Sequence, residues 1–190
     1  MNSSPTPKPG SGRPRPPRPA RPGPGDTLAW WRVPGRLGPM LLALRGEALA
    51  GLSFEDMPGR APVRPVRELD ATAPPLVREA ARQVDEYLQG RRRAFELALD
   101  ARGGAFAQAV WRELAALGYG ERIGYAGLAR RLGLEAGHAR AVGRAVGANP
   151  LLLLVPCHRV LGSDGALRGY AGGLARKRAL LELEAAERGG

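Results

Sequence analysis

The chain contains one cysteine, Cys157, and the two residues that follow it are His158 and Arg159. A single thiol cannot close an internal disulfide, and one sulfur atom does not make a metal site. A thiolate is a strong nucleophile, and nearby basic groups lower the pKa of a thiol and raise its thiolate fraction. Cys157 is therefore either a reactive nucleophile or a small residue of the core, where free cysteine is common.

The segment before the cysteine must position the thiol. Residues 151–155 are all apolar, which is typical of a fully buried strand, and Pro156 has no backbone donor to continue strand pairing. The sequence thus predicts that Cys157 lies where this strand leaves the core. Because side chains alternate along extended backbone, we expect Cys157 and His158 to point in opposite directions.

Three helices are predicted between the glycine pair 103–104 and this segment, because apolar residues recur there at helical spacing. They cover residues 106–117, 125–132 and 136–148. The second and third are joined by three residues, the spacing of a helix-turn-helix. Arg140 and Arg144 lie four positions apart and share one face of the third helix, among small residues that would let a nucleic acid backbone approach. The alternative is a solvated basic face on a bundle helix.

Two further segments follow the cysteine. Residues 167–173 form a glycine-rich loop that contains Tyr170. A last helix is predicted from about residue 174 to 187, with leucines on its apolar side. Glu184 lies one position past that apolar stripe, which on its own is typical of an ordinary surface carboxylate.

The first half of the chain predicts a small α+β domain without visible chemistry. Residues 37–44 and 48–54 resemble two strands joined by a short glycine-bearing hairpin turn. A proline-rich loop over 60–75 precedes a helix over 76–88, and alternation over 95–99 predicts another short strand. We interpret this half as a scaffold.

Composition limits the possible partners and compartments. The 190 residues include 29 basic and 18 acidic side chains, a net charge of +11, which favours a polyanion such as nucleic acid. No run of eighteen apolar residues and no apolar leader occurs, so we expect no membrane span and a reducing cytoplasm. Residues 1–26 contain nine prolines and five basic residues, which predicts a disordered arm that either contacts phosphates loosely or is inert.

Five motifs in order closely resemble those of the O6-alkylguanine-DNA alkyltransferase family. They are the active-site run at 149–160, the helix start at 107–111, the glycine-tyrosine segment at 119–129, the helix segment at 139–143, and the loop and helix at 169–184. The resemblance spans roughly residues 104–185. Earlier residues are similar in strand pattern alone.

The resemblance implies an α+β fold and a DNA repair function. It implies a ribonuclease-H-like scaffold domain over 27–102 and a mainly helical domain over 103–188 with a winged or helix-turn-helix DNA-binding motif. Family members enter the minor groove of double-stranded DNA, flip an O6-alkylguanine out of the stack and transfer its alkyl group permanently to a cysteine. Each molecule acts once.

The resemblance also implies roles for individual residues. Cys157 accepts the alkyl group, His158 takes the thiol proton through a water, and Glu184 orients His158. Tyr125 protonates or hydrogen-bonds the leaving guanine, Tyr170 contacts the base, and Asn149 supports the site. Arg140 fills the gap left by the flipped nucleotide. Arg144 and Arg159 complete the predicted DNA-binding set.

No cofactor and no metal are expected, although some relatives hold a zinc ion in the N-terminal domain. Cys157, His138 and His158 are the only cysteine and histidines, and all lie outside that domain. We expect a monomer, with cooperative assembly on DNA left open. Gly124 and Ala171 stand where relatives often have hydroxyl residues.

Two alternative functions remain. One is a helix-turn-helix regulator that binds DNA and whose cysteine takes no part in chemistry, and the other is a cysteine hydrolase that would act on many substrate molecules in succession.

Overall fold

The computed structural model describes residues 27–57 and 65–186. The predicted arm over 1–26 lies outside these residues, as does part of the predicted loop over 60–75. The described N-terminal half contains four strands and one helix. They are β1 (Ala29–Val33), β2 (Met40–Arg45), β3 (Ala48–Phe54), β4 (Val66–Glu68) and α1 (Pro75–Leu88).

The four strands form one mixed sheet in the order β3-β2-β1-β4. The hairpin between β2 and β3 is the one the sequence predicts, and Gly46 in its turn has a φ of +56°, which glycine adopts without strain. Strand β1 pairs antiparallel with β2 and parallel with β4. Helix α1 matches the helical periodicity and buries its apolar face.

Two predictions for this half are wrong. Strand β4 lies inside the region predicted as a loop. Residues 95–99 do not form a strand. They meet the edge of β3 at one point, where a single bridge joins Leu99 to Leu49. Phe95 instead packs its ring against Tyr87, with 5.0 Å between ring centroids.

The C-terminal half is mainly helical. Its helices are α2 (Ala105–Ala115), α3 (Tyr125–Arg131), α4 (Ala139–Gly147) and α5 (Leu174–Ala186), with 3-10 turns at Ala136–His138 and Cys157–Arg159. Two short parallel strands, β5 (Ile123–Gly124) and β6 (Val160–Leu161), also occur and were not predicted. Helices α3 and α4 form the predicted helix-turn-helix, and Gly133 in its turn has a φ of +71°.

The strand predicted for residues 151–155 is absent. All five side chains are buried, as the apolar run indicates, but the backbone turns, with Val155 N donating to Leu151 O at 2.9 Å and Leu153 at a φ of +70°. Burial and extension are separate properties, and an apolar run specifies the first alone. Cys157 and His158 therefore lie on a 3-10 turn rather than on alternate sides of a strand.

This buried turn joins the two halves. Leu52 N of β3 donates to Pro150 O, and Leu152 N donates to Leu52 O, each at 2.9 Å. The thiol segment is thus anchored to the outer edge of the N-terminal sheet. Among the described residues, no helix is both long enough and apolar enough to span a bilayer.

Candidate active site and DNA-binding surface

The Cys157 thiol is 4% exposed and held by an amide. Asn149 Nδ2 donates to Cys157 Sγ at 3.1 Å and to Val155 O at 2.8 Å, while Asn149 Oδ1 accepts from Leu151 N at 3.0 Å. A buried amide whose three contacts all fall on one turn fixes the position of that turn. Asn149 thereby sets the direction in which the sulfur points.

The ionisation state of the thiol differs from the sequence expectation. Burial raises the pKa of Cys157 to about 11, although the Asn149 hydrogen bond and the Lys177 charge oppose this rise. The sequence predicted that the adjacent basic residues would lower this pKa. The two adjacent basic residues do not lower the pKa of Cys157 enough to offset burial. The Arg159 guanidinium is bound to Glu184, and burial lowers the pKa of His158.

A cavity of about 160 Å³ leads to the thiol. Its lining comes from α3, α4 and the glycine-rich loop: Tyr125, Gly143, Val146, Gly147, Cys157, Gly169, Tyr170 and Ala171. The Tyr170 hydroxyl is buried and has no hydrogen-bond partner among the described residues. Burial, together with the nearby Cys157, raises the pKa of Tyr125, which keeps its phenol protonated and able to donate. The cavity therefore offers polar donors beside a sulfur nucleophile.

His158 and Glu184 form the buried pair that the family resemblance implied. His158 Nε2 lies 2.8 Å from Glu184 Oε1, and both side chains are fully buried. Since the ionised carboxylate can only accept, Nε2 holds the proton, and Nδ1 is left unprotonated without a protein partner among the described residues. Burial lowers the pKa of His158, against the opposing pull of Glu184, so the imidazole is neutral and able to act as a base.

The Glu184 carboxylate is saturated with donors. Arg159 Nη2 donates to Oε1 at 2.8 Å, and Gly120 N donates to Oε2 at 3.1 Å. Burial opposes its ionisation, but the hydrogen bonds from His158 and Arg159 outweigh burial and lower the pKa of Glu184 to about 2. Glu184 is thus ionised and fixed, and the surface position that its place in the sequence suggested in isolation is wrong.

Arg159, predicted to contact DNA, is buried beside Glu184. It is 5% exposed, its Nε and Nη2 bind Glu184, and its Nη1 donates to Leu117 O at 2.7 Å. Each of its three nitrogen atoms thus donates to a buried oxygen of the protein. Its contacts within the protein are those of a support for Glu184, and a DNA contact by Arg159 stays a prediction.

Two buried residues that the sequence did not single out belong to the site. Tyr87 of α1 donates its hydroxyl to Glu184 Oε1, although its spacing resembles that of any core residue. Lys177 of α5 donates to the carbonyls of Val160, Arg168 and Gly169. Burial lowers the pKa of Lys177 to about 8. A sequence signal for Lys177 did exist, since the chain has only two lysines among its 29 basic residues.

Helix α4 connects this site to a basic surface. Arg140 and Arg144 are exposed and make no ion pair within the described part of the chain. On the opposite face Val142, Ala145 and Val146 are buried, and Trp111 Nε1 of α2 donates to Ala145 O at 2.8 Å. Helix α4 thus exposes two arginines to solvent and also lines the thiol cavity. No group of three His, Cys, Asp or Glu side chains that could hold a metal ion occurs among the residues described.

The fold and the site together define a class: a helix-turn-helix protein whose second helix lines a cavity that reaches a buried free cysteine. Two family models match, the 6-O-methylguanine DNA methyltransferase ribonuclease-like domain over residues 34–101 and the DNA-binding domain of the same family over 105–186. The chain belongs to the 6-O-methylguanine DNA methyltransferase family.

Similar proteins agree with this assignment. A methylated-DNA–protein-cysteine methyltransferase of Mycobacterium bovis is 42% identical over 148 residues, covering 78% of this chain and 87% of the relative. One from Methanosarcina barkeri is 40% identical, covering 78% and 91%. The crystal structure of the Mycobacterium tuberculosis O6-methylguanine methyltransferase is 38% identical with a TM-score of 0.75, covering 85% of this chain and 94% of that one. A structure of the same organism's OGT in complex with DNA has a TM-score of 0.74 at 38% identity, covering 84% and 94%.

Proposed function

We propose that this protein repairs DNA by transferring an alkyl group, methyl above all, from O6 of guanine to Sγ of Cys157. The observation that supports this most is the cavity that joins the basic helix α4 to a buried thiol. The relatives named methylated-DNA–protein-cysteine methyltransferases support the same substrate. A thioether is stable, so each molecule reacts once, and double-stranded DNA is the partner.

The reaction is a displacement at an alkyl carbon. The sulfur forms a bond to that carbon while the carbon–oxygen bond breaks, and the electron pair leaves with guanine. Guanine is neutral after it gains one proton, and we propose that Tyr125, on the cavity wall, donates that proton. Tyr125 regains a proton from solvent as His158 releases the one taken from the thiol, so the proton count balances. The Tyr170 hydroxyl, which is buried and has no hydrogen-bond partner among the described residues, is proposed to contact the same base.

The thiol must lose its proton in the same step. His158 Nδ1 is the unprotonated nitrogen of a neutral imidazole, and we infer that it receives the proton through a water, as the family resemblance implies. Glu184 stabilises the imidazolium that forms, and Arg159 keeps Glu184 ionised and in place. Asn149 keeps Sγ at the end of the cavity.

The exposed face of α4 is proposed to contact DNA. A flipped guanine leaves a gap in the stack, and Arg140 is proposed to fill it, while Arg144 contacts a phosphate. Entry from the minor groove suits a repair protein, because that groove carries little sequence information.

Two assignments of context belong to the same proposal. We place the protein in the cytoplasm, since a reaction at a free thiol needs a reducing compartment. We also keep the division into an arm over 1–26, a scaffold domain over 27–102 and an alkyltransferase domain over 103–188. The family models match residues 34–101 and 105–186, which is compatible with that division.

The proposal is tested by following the lesion. A duplex with one O6-methylguanine is incubated with increasing protein, and the remaining O6-methylguanine is measured after digestion to nucleosides. We expect loss of the lesion to equal the active protein added and then to stop. A regulator would bind without any loss, and a hydrolase would continue past one equivalent. Either result overturns the proposal.

A further inference from the structure

We propose that Tyr87, a residue of the N-terminal half, is a positioning residue for alkyl transfer: its hydroxyl holds Glu184 and limits the negative charge that acts on His158. This inference rests on the proposed function and assigns to the N-terminal half a direct part in the chemistry. The half otherwise contributes strands and packing.

The geometry places the Tyr87 hydroxyl inside the catalytic network. It donates to Glu184 Oε1 and lies 3.3 Å from His158 Nε2. The ring is fully buried and is held by two neighbours, Phe95 at 5.0 Å and Tyr119 in an edge arrangement at 5.9 Å between ring centroids. A rigid ring with one short polar end fixes the position of the carboxylate that it touches.

Three residues donate hydrogen bonds to the same oxygen, Glu184 Oε1. They are Tyr87 through its hydroxyl, His158 through Nε2, and Arg159 through both Nε and Nη2. Since burial, with the Glu184 charge second, holds the pKa of Tyr87 far above its ordinary value, the phenol stays protonated and donates. Each hydrogen bond partly neutralises the negative charge on the carboxylate. The hydroxyl of Tyr87 therefore weakens the electrostatic interaction of Glu184 with the His158 imidazole.

This sharing matters because His158 must be neutral to accept a proton. A carboxylate bound to an imidazole alone favours the imidazolium and raises the pKa of the histidine. The groups that face His158 are Glu184, which raises its pKa, Arg159 and Lys177, which lower it, and the Tyr170 ring at 6.4 Å between centroids. Tyr87 acts on Glu184, the one neighbour that favours the charged form.

The experiment compares the full-length protein with its Tyr87→Phe variant, which keeps the ring and loses the hydroxyl. Single-turnover alkyl transfer is measured across pH. We expect the acid limb of the rate profile to move to higher pH, by about one unit, so that the rate on that limb falls about tenfold. DNA affinity should not change. An unmoved acid limb overturns the proposal, as does a rate loss that is equal at every pH, because that is the mark of a merely structural role.

Two controls isolate the hydroxyl. Tyr119→Phe removes a hydroxyl from the ring packed edge-on against Tyr87 and should leave the acid limb in place. In a Glu184→Gln background, adding Tyr87→Phe should produce no further shift, since the oxygen charge it acts on is gone. A further shift in that background contradicts the proposal.

A second measurement needs no DNA. The chain has two histidines, so NMR titration of the imidazoles resolves His158 beside His138. The pKa of His158 should be higher in Tyr87→Phe than in the wild type, and an equal pKa overturns the inference. Because this titration does not depend on repair, its outcome is separable from that of the proposed function, which fails if the wild type removes no lesion.

Discussion

At the scale of single residues, the environment of Cys157 favours the protonated thiol in the free protein. The pKa of Cys157 is raised by burial, the pKa of Glu184 is lowered to about 2 by its donors, and His158 lies neutral between these groups. A protonated thiol resists oxidation and unwanted alkylation, because the rates of both reactions increase with the fraction of thiolate. Such protection suits a protein that can react only once.

The protonated thiol leads to a prediction for the free protein. Because the pKa of Cys157 is raised to about 11, the thiolate is scarce at neutral pH and its fraction grows about tenfold with each pH unit below that value. We expect alkylation by iodoacetamide to be slow at neutral pH and to accelerate up to about pH 11. Glutathione, as a control, should level off lower, near the ordinary thiol pKa of about 8.5. A plateau for Cys157 near neutral pH would contradict this account.

The residue scale also shows which roles a sequence can suggest. The type and order of Cys157, His158 and Tyr125 are enough to suggest the proposed chemistry. The sequence could not place Arg159, because its position beside the cysteine says nothing of the carboxylate that it meets 25 residues later. Tyr87 was missed for a similar reason, since its partner Glu184 lies 97 positions away and its own spacing is that of a core residue.

At the scale of elements, irregular segments position the chemistry and regular ones support them. The turn over 151–155 leads into Cys157, and the glycine-rich loop over 167–173 lines the cavity together with residues of α3 and α4. Helical and hairpin periodicity predicted α1 to α5 and the β2–β3 hairpin well, because one buried face repeats along each of them. Strands β4, β5 and β6 have two or three residues each, too few to show a repeat.

The loop also depends on one close approach. A Cβ on Gly172 would lie 2.7 Å from the Tyr170 ring and 2.8 Å from Phe54, closer than any ordinary contact. We expect Gly172→Ala to displace Tyr170 and slow alkyl transfer by about 10- to 100-fold in a single-turnover assay, while the fold persists. Gly104→Ala is the matched control, since nothing lies within 4 Å of its added Cβ. Equal rates for the two variants would mean that Tyr170 does not act on the base.

At the scale of the whole molecule, contacts between the halves hold the site together. Arg176 of α5 donates through Nε to Leu37 O at 2.7 Å and through Nη2 to Asp56 Oδ2 at 2.9 Å, and its guanidinium lies 4.1 Å from the centre of the Phe54 ring. These contacts and the Tyr87 bond to Glu184 connect the N-terminal half to α5, while the Leu52 pairing connects the N-terminal sheet to the thiol turn. None of these pairings follows from local sequence pattern.

The net charge of +11 predicts how DNA binding responds to salt. Each phosphate contact releases counterions, so the logarithm of the binding constant falls linearly with the logarithm of salt concentration. Arg144→Ala should weaken binding to lesion-free duplex and reduce the magnitude of that slope by about one. Arg78→Ala removes an exposed arginine from α1, away from the helix-turn-helix, and should leave the slope unchanged. Equal slopes for Arg144→Ala and the wild type would remove α4 from the DNA interface.

The measurement that tests the central claim most directly is the mass of the intact protein after incubation with a duplex that contains one O6-methylguanine. We expect a gain of one CH2 group per molecule that saturates at one, maps to the peptide containing Cys157, and is absent in Cys157→Ala. An unchanged mass despite tight, lesion-selective binding would contradict alkyl transfer and leave a protein that senses the lesion without repairing it.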